Sequence, residues 1–446
     1  MSGVFAGERA VVVGLGVSGT ASARALAEEG AVVRVTESRP HAEVPTALSD
    51  LGVEVLSGGH EPAHLDGATV LVVSPGVPPR APVLGWARER GLPVWGELEL
   101  GARLARVPYL AVTGTNGKTT TTGMLSSILG ASGIDAPACG NVGHPMPTAA
   151  RETHDALVVE ASSFQLDVQA SFQPQVSVLL NLAPDHLDWH GSFDAYAGAK
   201  AKIFARQEGD DVHVGNRDDD ASAARSRTAS CEVNWFTLDE PERGETGYVG
   251  RALAGRWGAE TVLLGAPPFD TPALRADAAA AAAAANAFGV GEDAIRAGLT
   301  AFRPAAHRGE TVAVVDGVRF VDDSKATNPH ATLAALGGGG GAVLIAGGDA
   351  KGVDLSPIGA LAPRLAGVVA IGASDDEVVD LFQRSVPTRK AGSIEEAVRT
   401  AFELAPRPGR VLLAPACASW DMFRDYRERG DRFTAAARAI EKEVRT

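Results

Sequence analysis

Cysteine is nearly missing from the 446 residues: only Cys139, Cys231 and Cys417 occur, widely separated. Such an odd, sparse set makes neither a disulfide framework nor a zinc pattern, and it predicts a reducing, cytoplasmic setting. No uninterrupted apolar stretch reaches the roughly 20 residues that a membrane helix needs. The N-terminal MSGVFAGERA also lacks the basic-then-apolar order of a secretory signal, so no membrane insertion is expected. The alanine tract 278–285 is short and weakly hydrophobic, and it predicts a packed helix. Positive charge is in short supply: 41 basic against 55 acidic residues leave a net charge of -14, which argues against nucleic-acid binding. Lysine is scarcer still, present only as Lys118, Lys200, Lys202, Lys325, Lys351, Lys390 and Lys442. A chain so biased toward arginine keeps an amine where a guanidinium cannot substitute.

What is present is an ordinary globular balance, 45% hydrophobic and 22% charged, over a length that suggests two to four domains. Strand-like apolar runs alternate with helical patterns throughout, the signature of α/β architecture. Three consecutive domains are expected. Residues 1–107 would carry an N-terminal Rossmann-like sheet, 108–303 a central P-loop ATPase-like sheet, and 304–446 a C-terminal Rossmann-like sheet. The acidic and glycine-rich stretches 209–221 and 240–250 look like surface loops. A glycine run, 337–341, precedes a strong strand pattern at 342–346.

The most informative stretch is YLAVTGTNGKTTTTGM at 109–124. Leu110, Ala111 and Val112 predict a buried strand, and Met124, Leu125, Ile128 and Leu129 predict a helix. Between them lie Gly114, Thr115, Asn116, Gly117, Lys118, Thr119 and Thr120. The glycines let backbone amides turn toward phosphate oxygens, while the helix N-terminus and Lys118 supply positive charge and Thr119 a hydroxyl for Mg²⁺. A full Walker A loop needs glycine where Val112 stands, so this is a shortened variant. It reads as an ATP site; the plain alternative is a Gly/Thr-rich turn.

Upstream, AVVVGLGVSG carries G-x-G-x-x-G at Gly14, Gly16 and Gly19 after a strand, and Glu37 closes the next strand where a ribose-binding acid would stand. Ser74, Pro75 and Gly76 turn sharply at another strand end. Downstream, Glu160 ends a strand in a position suited to Mg²⁺ or water. His186 follows a further strand, on what the pattern predicts is the same sheet edge as Gly114. Lys200 reads by chemistry alone as a surface or phosphate-facing lysine. In the last third, three strand ends are polar: Asp323, Ser324, Lys325, Thr327 and Asn328; then Asp349 and Lys351; then 412–423. Together they suggest a site for a small, charged, carboxylate-bearing ligand. His307 and Arg308 stand at the domain junction.

On these residues the chain resembles the Mur ligases. TGTNGKTTTT marks the ATP-dependent amide-ligase superfamily, which also contains folylpolyglutamate synthetase. DDSKATN at 322–328, GLGVSG and PACASWDMF resemble the branch that joins D-glutamate to UDP-N-acetylmuramoyl-L-alanine. The resemblance implies a monomer in the cytoplasm that takes those two small molecules with ATP and Mg²⁺, the latter at two sites. It gives Lys118, His186 and Lys200 catalytic roles. Gly114 to Thr120, Asp277, Arg308, Asp323 and Lys325 would face ATP. Thr119, Glu160, His186 and a carbamylated Lys200 would hold metal, with Lys202 the competing match for the last. Val17, Ser18, Glu37, Arg39, Gly76, Asn141 and Gln165 would bind the UDP-sugar, and Thr327, Lys351, Ser419 and Tyr426 the D-glutamate. Two positions depart from the family pattern. Only Asp277 stands near the end of the usual HNxxN adenine motif, and Tyr426 replaces phenylalanine. Another ligase of the superfamily is the alternative. A nicotinamide dehydrogenase would leave the phosphate loop unexplained, and a non-catalytic ATP-binding regulator would not need Glu160, His186 and Lys200.

Overall fold

A computed structural model of the chain describes residues 3–269, 271–336 and 340–445. The first three glycines of the run at 337–341 lie outside the described residues. The remaining chain forms three sheets, each complete before the next begins in sequence.

The first sheet contains β1 (Arg9–Val13), β2 (Val32–Glu37), β3 (Glu54–Ser57), β4 (Val70–Val73) and β5 (Val94–Gly96), ordered β3-β2-β1-β4-β5 and parallel throughout. Val11, Val12 and Val13 are all buried, as expected of a strand covered on both faces. Strand order reverses at β1, so the chain leaves β1 and β4 on either side of a crevice at their C-terminal ends.

The second sheet is built from β6 (Tyr109–Thr113), β7 (Ala138–Gly140), β8 (Leu157–Glu160), β9 (Val176–Leu179), β10 (Val212–Asn216), β11 (Glu232–Phe236), β12 (Glu245–Val249), β13 (Ala252–Gly255) and β14 (Val262–Gly265). Its order is β14-β13-β12-β11-β10-β9-β6-β8-β7, antiparallel only at the β12-β13-β14 edge. β6 sits between β8 and β9, so the loop after it again leaves from a switch point. The helix Lys118–Ala131 follows, burying Met124, Leu125, Ile128 and Leu129. It crosses the helix Glu292–Ala301 at Gly298, where any Cβ would strike the Ile128 backbone. The alanine tract is the centre of the helix Pro272–Ala287; Ala278 to Ala285 are all buried in the same core.

The third sheet contains β15 (Glu310–Val315), β16 (Val318–Asp322), β17 (Ala342–Gly347), β18 (Leu365–Ile371), β19 (Thr388–Lys390) and β20 (Gly409–Leu413), in the order β15-β16-β20-β17-β18-β19. The C-terminal ends of β16, β20 and β17 therefore lie side by side. The final helix is Tyr426–Arg445.

By packing, the chain forms two compact units. One comprises Met1–Leu182, Asp194–Phe269 and Leu274–Phe302, with the first two sheets. The other comprises Ala183–Phe193, Asp270–Ala273 and Arg303–Thr446, with the third. Inside the first unit, Gly101 in the helix Glu97–Leu104 abuts Met146, and Glu99 accepts hydrogen bonds from the Ala170 and Ser171 amides at 2.8 and 2.7 Å.

Neither expected loop is simply a loop. β10 lies within 209–221 and β12 within 240–250, and both are largely buried. Their polar letters are satisfied internally, which disguises them as surface sequence. Asn216 donates to the Leu180 carbonyl at 2.6 Å, and Glu245 accepts from Arg217 at 2.5 Å. His213 is wholly buried between the hydroxyls of Ser177 (2.7 Å) and Ser226 (2.9 Å).

Burial lowers the His213 pKa from 6.5 to about 3, so the folded protein holds this imidazole neutral while the unfolded chain binds a proton. Stability from this group is present above about pH 6.5 and is lost as the pH falls toward 3. Urea unfolding of wild type should show that decline, and His213→Gln should flatten it. Parallel pH profiles would contradict a neutral His213.

Candidate active site

The crevice of the first sheet opens into a cavity of about 590 Å³. Its wall includes Val17, Ser18, Glu37, Arg39, Gly76, Asn141 and Gln165, the whole set expected to meet a UDP-sugar. Gly14 follows β1, and Gly19 must be small because a Cβ there would collide with the Gly14 carbonyl. Glu37 accepts from the Leu15 amide at 2.7 Å and the Arg39 amide at 2.9 Å, with the Arg39 guanidinium beside it. Burial opposes its charge, but these hydrogen bonds and Arg39 win, holding the carboxyl down at about 2. Glu37 thus organises the glycine loop as well as facing the cavity. Ser74 Oγ is buried there without a hydrogen-bond partner.

On the far side of this cavity, Asn141 Nδ2 donates to Glu160 Oε1 at 2.7 Å. The other oxygen, Oε2, is buried and unpartnered. β8 carries Glu160 alongside β6, whose C-terminal end runs into the phosphate loop. That loop is tightly braced. Asn181 accepts the Asn116 amide on Oδ1 at 2.9 Å and its carbonyl accepts the Thr115 amide at 2.9 Å, while the Tyr196 hydroxyl donates to Thr115 Oγ1 at 3.0 Å. Gly117 is left-handed, φ +85°, and a Cβ on it would run into the Asp277 carboxylate. Asp277, matched to an adenine position, therefore buttresses the loop. Lys118 begins the helix with Nζ on the Gly114 and Thr115 carbonyls at 2.8 and 2.9 Å. Thr119 is half-buried and Thr120 buried just behind it.

Lys200 corrects the surface reading: it is 2% exposed, and Nζ donates to the Gly114 carbonyl at 2.7 Å. Lys202 points elsewhere, to the Asp167 carbonyl at 2.6 Å and its carboxylate at 2.7 Å. Geometry thus favours Lys200 over its neighbour as the loop-facing amine.

In the second unit, the three polar strand ends converge. Asp349 and Ala418 pair through their backbones at 2.8 and 3.1 Å, bringing Lys351 and Ser419 onto neighbouring loops. The Ala416 amide donates to the Ala326 carbonyl at 3.0 Å, tying in the loop that carries Thr327. Lys351, left-handed at φ +56°, reaches Asp185 Oδ1 at 2.5 Å, and Asn328 donates to Asp185 Oδ2 at 3.1 Å. Burial opposes the charge of Asp185, yet Lys351, His186 and these hydrogen bonds hold its carboxyl below the usual range. His186 is also left-handed, φ +52°, its amide on Asp185 Oδ1 at 2.9 Å. Lys325 Nζ sits 4.0 Å from the centre of the Tyr426 ring, so residues matched to different ligands share one contact. Asp323 is pushed up to about 7 by burial, against the pull of Arg308 and with help from Asp322.

Several residues here escaped the sequence reading. Arg429 is 1% exposed and clamps the loops after β16 and β20, donating to the Ser324 carbonyl at 2.8 Å and the Cys417 carbonyl at 3.2 Å. In a helix rich in arginine, only burial marks it out. Asp185 stood unremarked within the stretch around His186. Glu97, in the ELEL run, lines the cavity. Alternating acid and leucine gave no sign of it.

Lys351→Met should leave the Asp185 carboxylate buried without its cation, costing about 3–5 kcal/mol by urea unfolding. Adding Asp185→Asn should recover much of that loss. Additive losses in the double variant would show the pair to be uncoupled.

The chain is similar to known proteins over nearly its whole length. Residues 8–96 match the MurD-like Mur ligase N-terminal domain, and 112–250 the Mur ligase middle domain. The UDP-N-acetylmuramoylalanine–D-glutamate ligase of Frankia casuarinae is 46% identical over 98% of this chain and 95% of its own. The ligase of the same name from Streptomyces avermitilis is 43% identical over 97% and 98%. Among solved structures, a pseudomurein peptide ligase type C from Methanothermus fervidus shares the fold at TM-score 0.63 and 19% identity, covering 98% of this chain and 100% of its own. The MurF ligase of Thermotoga maritima, solved with ADP, does so at 0.60 and 17%, covering 98% and 96%. With two domains recognised in the right order and relatives alike over nearly the full length, the chain belongs to the Mur ligases, in the family of UDP-N-acetylmuramoylalanine–D-glutamate ligases.

Proposed function

We propose that this protein is the cytoplasmic, ATP-dependent ligase that joins the L-alanine carboxylate of UDP-N-acetylmuramoyl-L-alanine to the amine of D-glutamate, acting as a monomer. In this reading residues 1–107 hold the UDP end, 108–303 hold ATP, and 304–446 hold D-glutamate. The observation that carries it is a shared residue: Asn141 lines the cavity suited to a UDP-sugar and donates to Glu160, on the strand paired with β6 and its phosphate loop. A long substrate anchored by its nucleotide would thereby present its far carboxylate to ATP. Among the described residues no helix is long and apolar enough to cross a membrane.

The residues fit Mg²⁺. Glu160 offers a buried oxygen with no partner, and Thr119 a hydroxyl at the start of the helix. A few oxygen donors plus substrate phosphates is the environment this ion prefers. When bound, Mg²⁺ supplies Lewis-acid neutralisation of the phosphate charge. Lys200, matched to the family's carbamylated lysine, faces the same loop.

A carboxylate is a poor electrophile, so the terminal phosphoryl group of ATP first passes to a carboxylate oxygen, releasing ADP. Lys118 and the loop amides hold the phosphates in line, and Arg308 offsets charge gathering on them. The D-glutamate amine then attacks the acyl carbon. The C–O bond to phosphate breaks, phosphate departs with the electron pair, and the amine loses its proton. Lys351, Thr327, Ser419 and Tyr426 would bind the D-glutamate. His186 acts as a positioning residue and not as a nucleophile.

Phosphate release from ATP should require both UDP-N-acetylmuramoyl-L-alanine and D-glutamate. Release with L-alanine, a diamino acid or a folate, but none with D-glutamate, would sink the assignment. Lys200→Ala should abolish turnover whether or not bicarbonate is added, and a ¹³C-bicarbonate label should appear on wild type alone. Unchanged turnover would remove the carbamate role.

A further inference from the structure

Glu97 has no part in the reading above, yet it stands in the wall of the same cavity. It opens the helix Glu97–Leu104 and is 1% exposed. Among the described residues no lysine, arginine or histidine forms an ion pair with it; its hydrogen-bond partners are neutral donors from two other elements. Oε1 accepts the Met146 amide at 3.0 Å and Oε2 accepts Gln165 Nε2 at 3.3 Å. Gln165 lies in the helix Ser163–Asp167 after Glu160.

The hydrogen-bond pattern around Gln165 leaves one arrangement. Its Oε1 already accepts the Ser162 amide at 3.0 Å and the Ser162 hydroxyl at 2.8 Å. The NH₂ end must then face the carboxylate of Glu97, which can only accept while ionised. One N–H goes to Glu97, and Gln165 itself lines the cavity. Glu97 therefore decides which end of this amide a ligand meets.

We propose that Glu97 is a positioning residue for the UDP-sugar substrate: by accepting from Gln165, it sets the polarity of an amide that grips the substrate. The proposal rests on the substrate reading given above. A glutamine at 97 would have one acceptor oxygen for donors on both sides, so either Gln165 or the Met146 amide would face an NH₂ group. That mismatch should be felt by the ligand in this cavity and not by the others.

The test compares wild type, Glu97→Gln and Glu97→Asp by KM for each of the three substrates, kcat, UDP-N-acetylmuramoyl-L-alanine binding by calorimetry, and Tm. Glu97→Gln should raise KM and Kd for the UDP-sugar about tenfold or more, with KM for ATP and D-glutamate within about twofold. Glu97→Asp, which keeps both acceptor oxygens, should recover most of that loss and gives a second handle if the glutamine variant folds poorly. An unchanged UDP-sugar KM, a uniform rise in all three KM values alongside a fall in Tm, or no recovery with aspartate would overturn the proposal. If wild type itself fails to bind UDP-N-acetylmuramoyl-L-alanine, the substrate reading falls and takes this role with it.

Discussion

A strand buried on both faces can present polar chemistry only where it ends. All three sheets obey that constraint, and the site residues are arranged by it. β1 and β4 run through solid aliphatic core and release Gly14 and Ser74 at one crevice. β6 and β8 release the phosphate loop and Glu160. β16, β20 and β17 release the loops bearing Lys325, Ser419 and Lys351. Parallel pairing puts each group of ends on one edge, so three stretches distant in sequence converge without any long-range contact having to be specified by itself.

Once polar groups gather at such an edge, burial makes their partners obligatory. Arg429 directs its donors to loop carbonyls, Asp185 is held by Lys351 and Asn328, and Glu97 is held by two neutral donors. These groups make the loops rigid before any ligand arrives, which is how a site keeps its charges in place without reorganising. Glu160 is the informative exception: one oxygen is bonded and the other is buried without a partner. That open oxygen is the one the proposed Mg²⁺ would take.

Much of this was legible in the chain itself. The strand–glycine–lysine–helix order at 109–131 is local, and so are the glycine loop after β1 and the polar strand ends of the last third. Tyr109 to Thr113 and Lys118–Ala131 form where their periodicity says, because hydrophobic pattern and glycine punctuation agree there. The two misread loops failed for the opposite reason. β10 and β12 carry His213, Asn216 and Glu245 inside the fold, and a buried hydrogen-bonded polar residue looks like a surface one in sequence.

What the sequence alone determined, then, was the kind of chemistry: a shortened phosphate loop, an acid after β8, scarce lysines kept at strand ends, and motifs that resemble one ligase family. Tertiary structure decided which of those residues face a common space and which only hold others in place. It separated Lys200 from Lys202, turned Asp277 toward Gly117, and brought Glu97 to the wall beside Ser18 and Gln165. The reason is physical. Residue type and spacing encode what a side chain can do, but burial and hydrogen-bond partners arise only when distant segments pack.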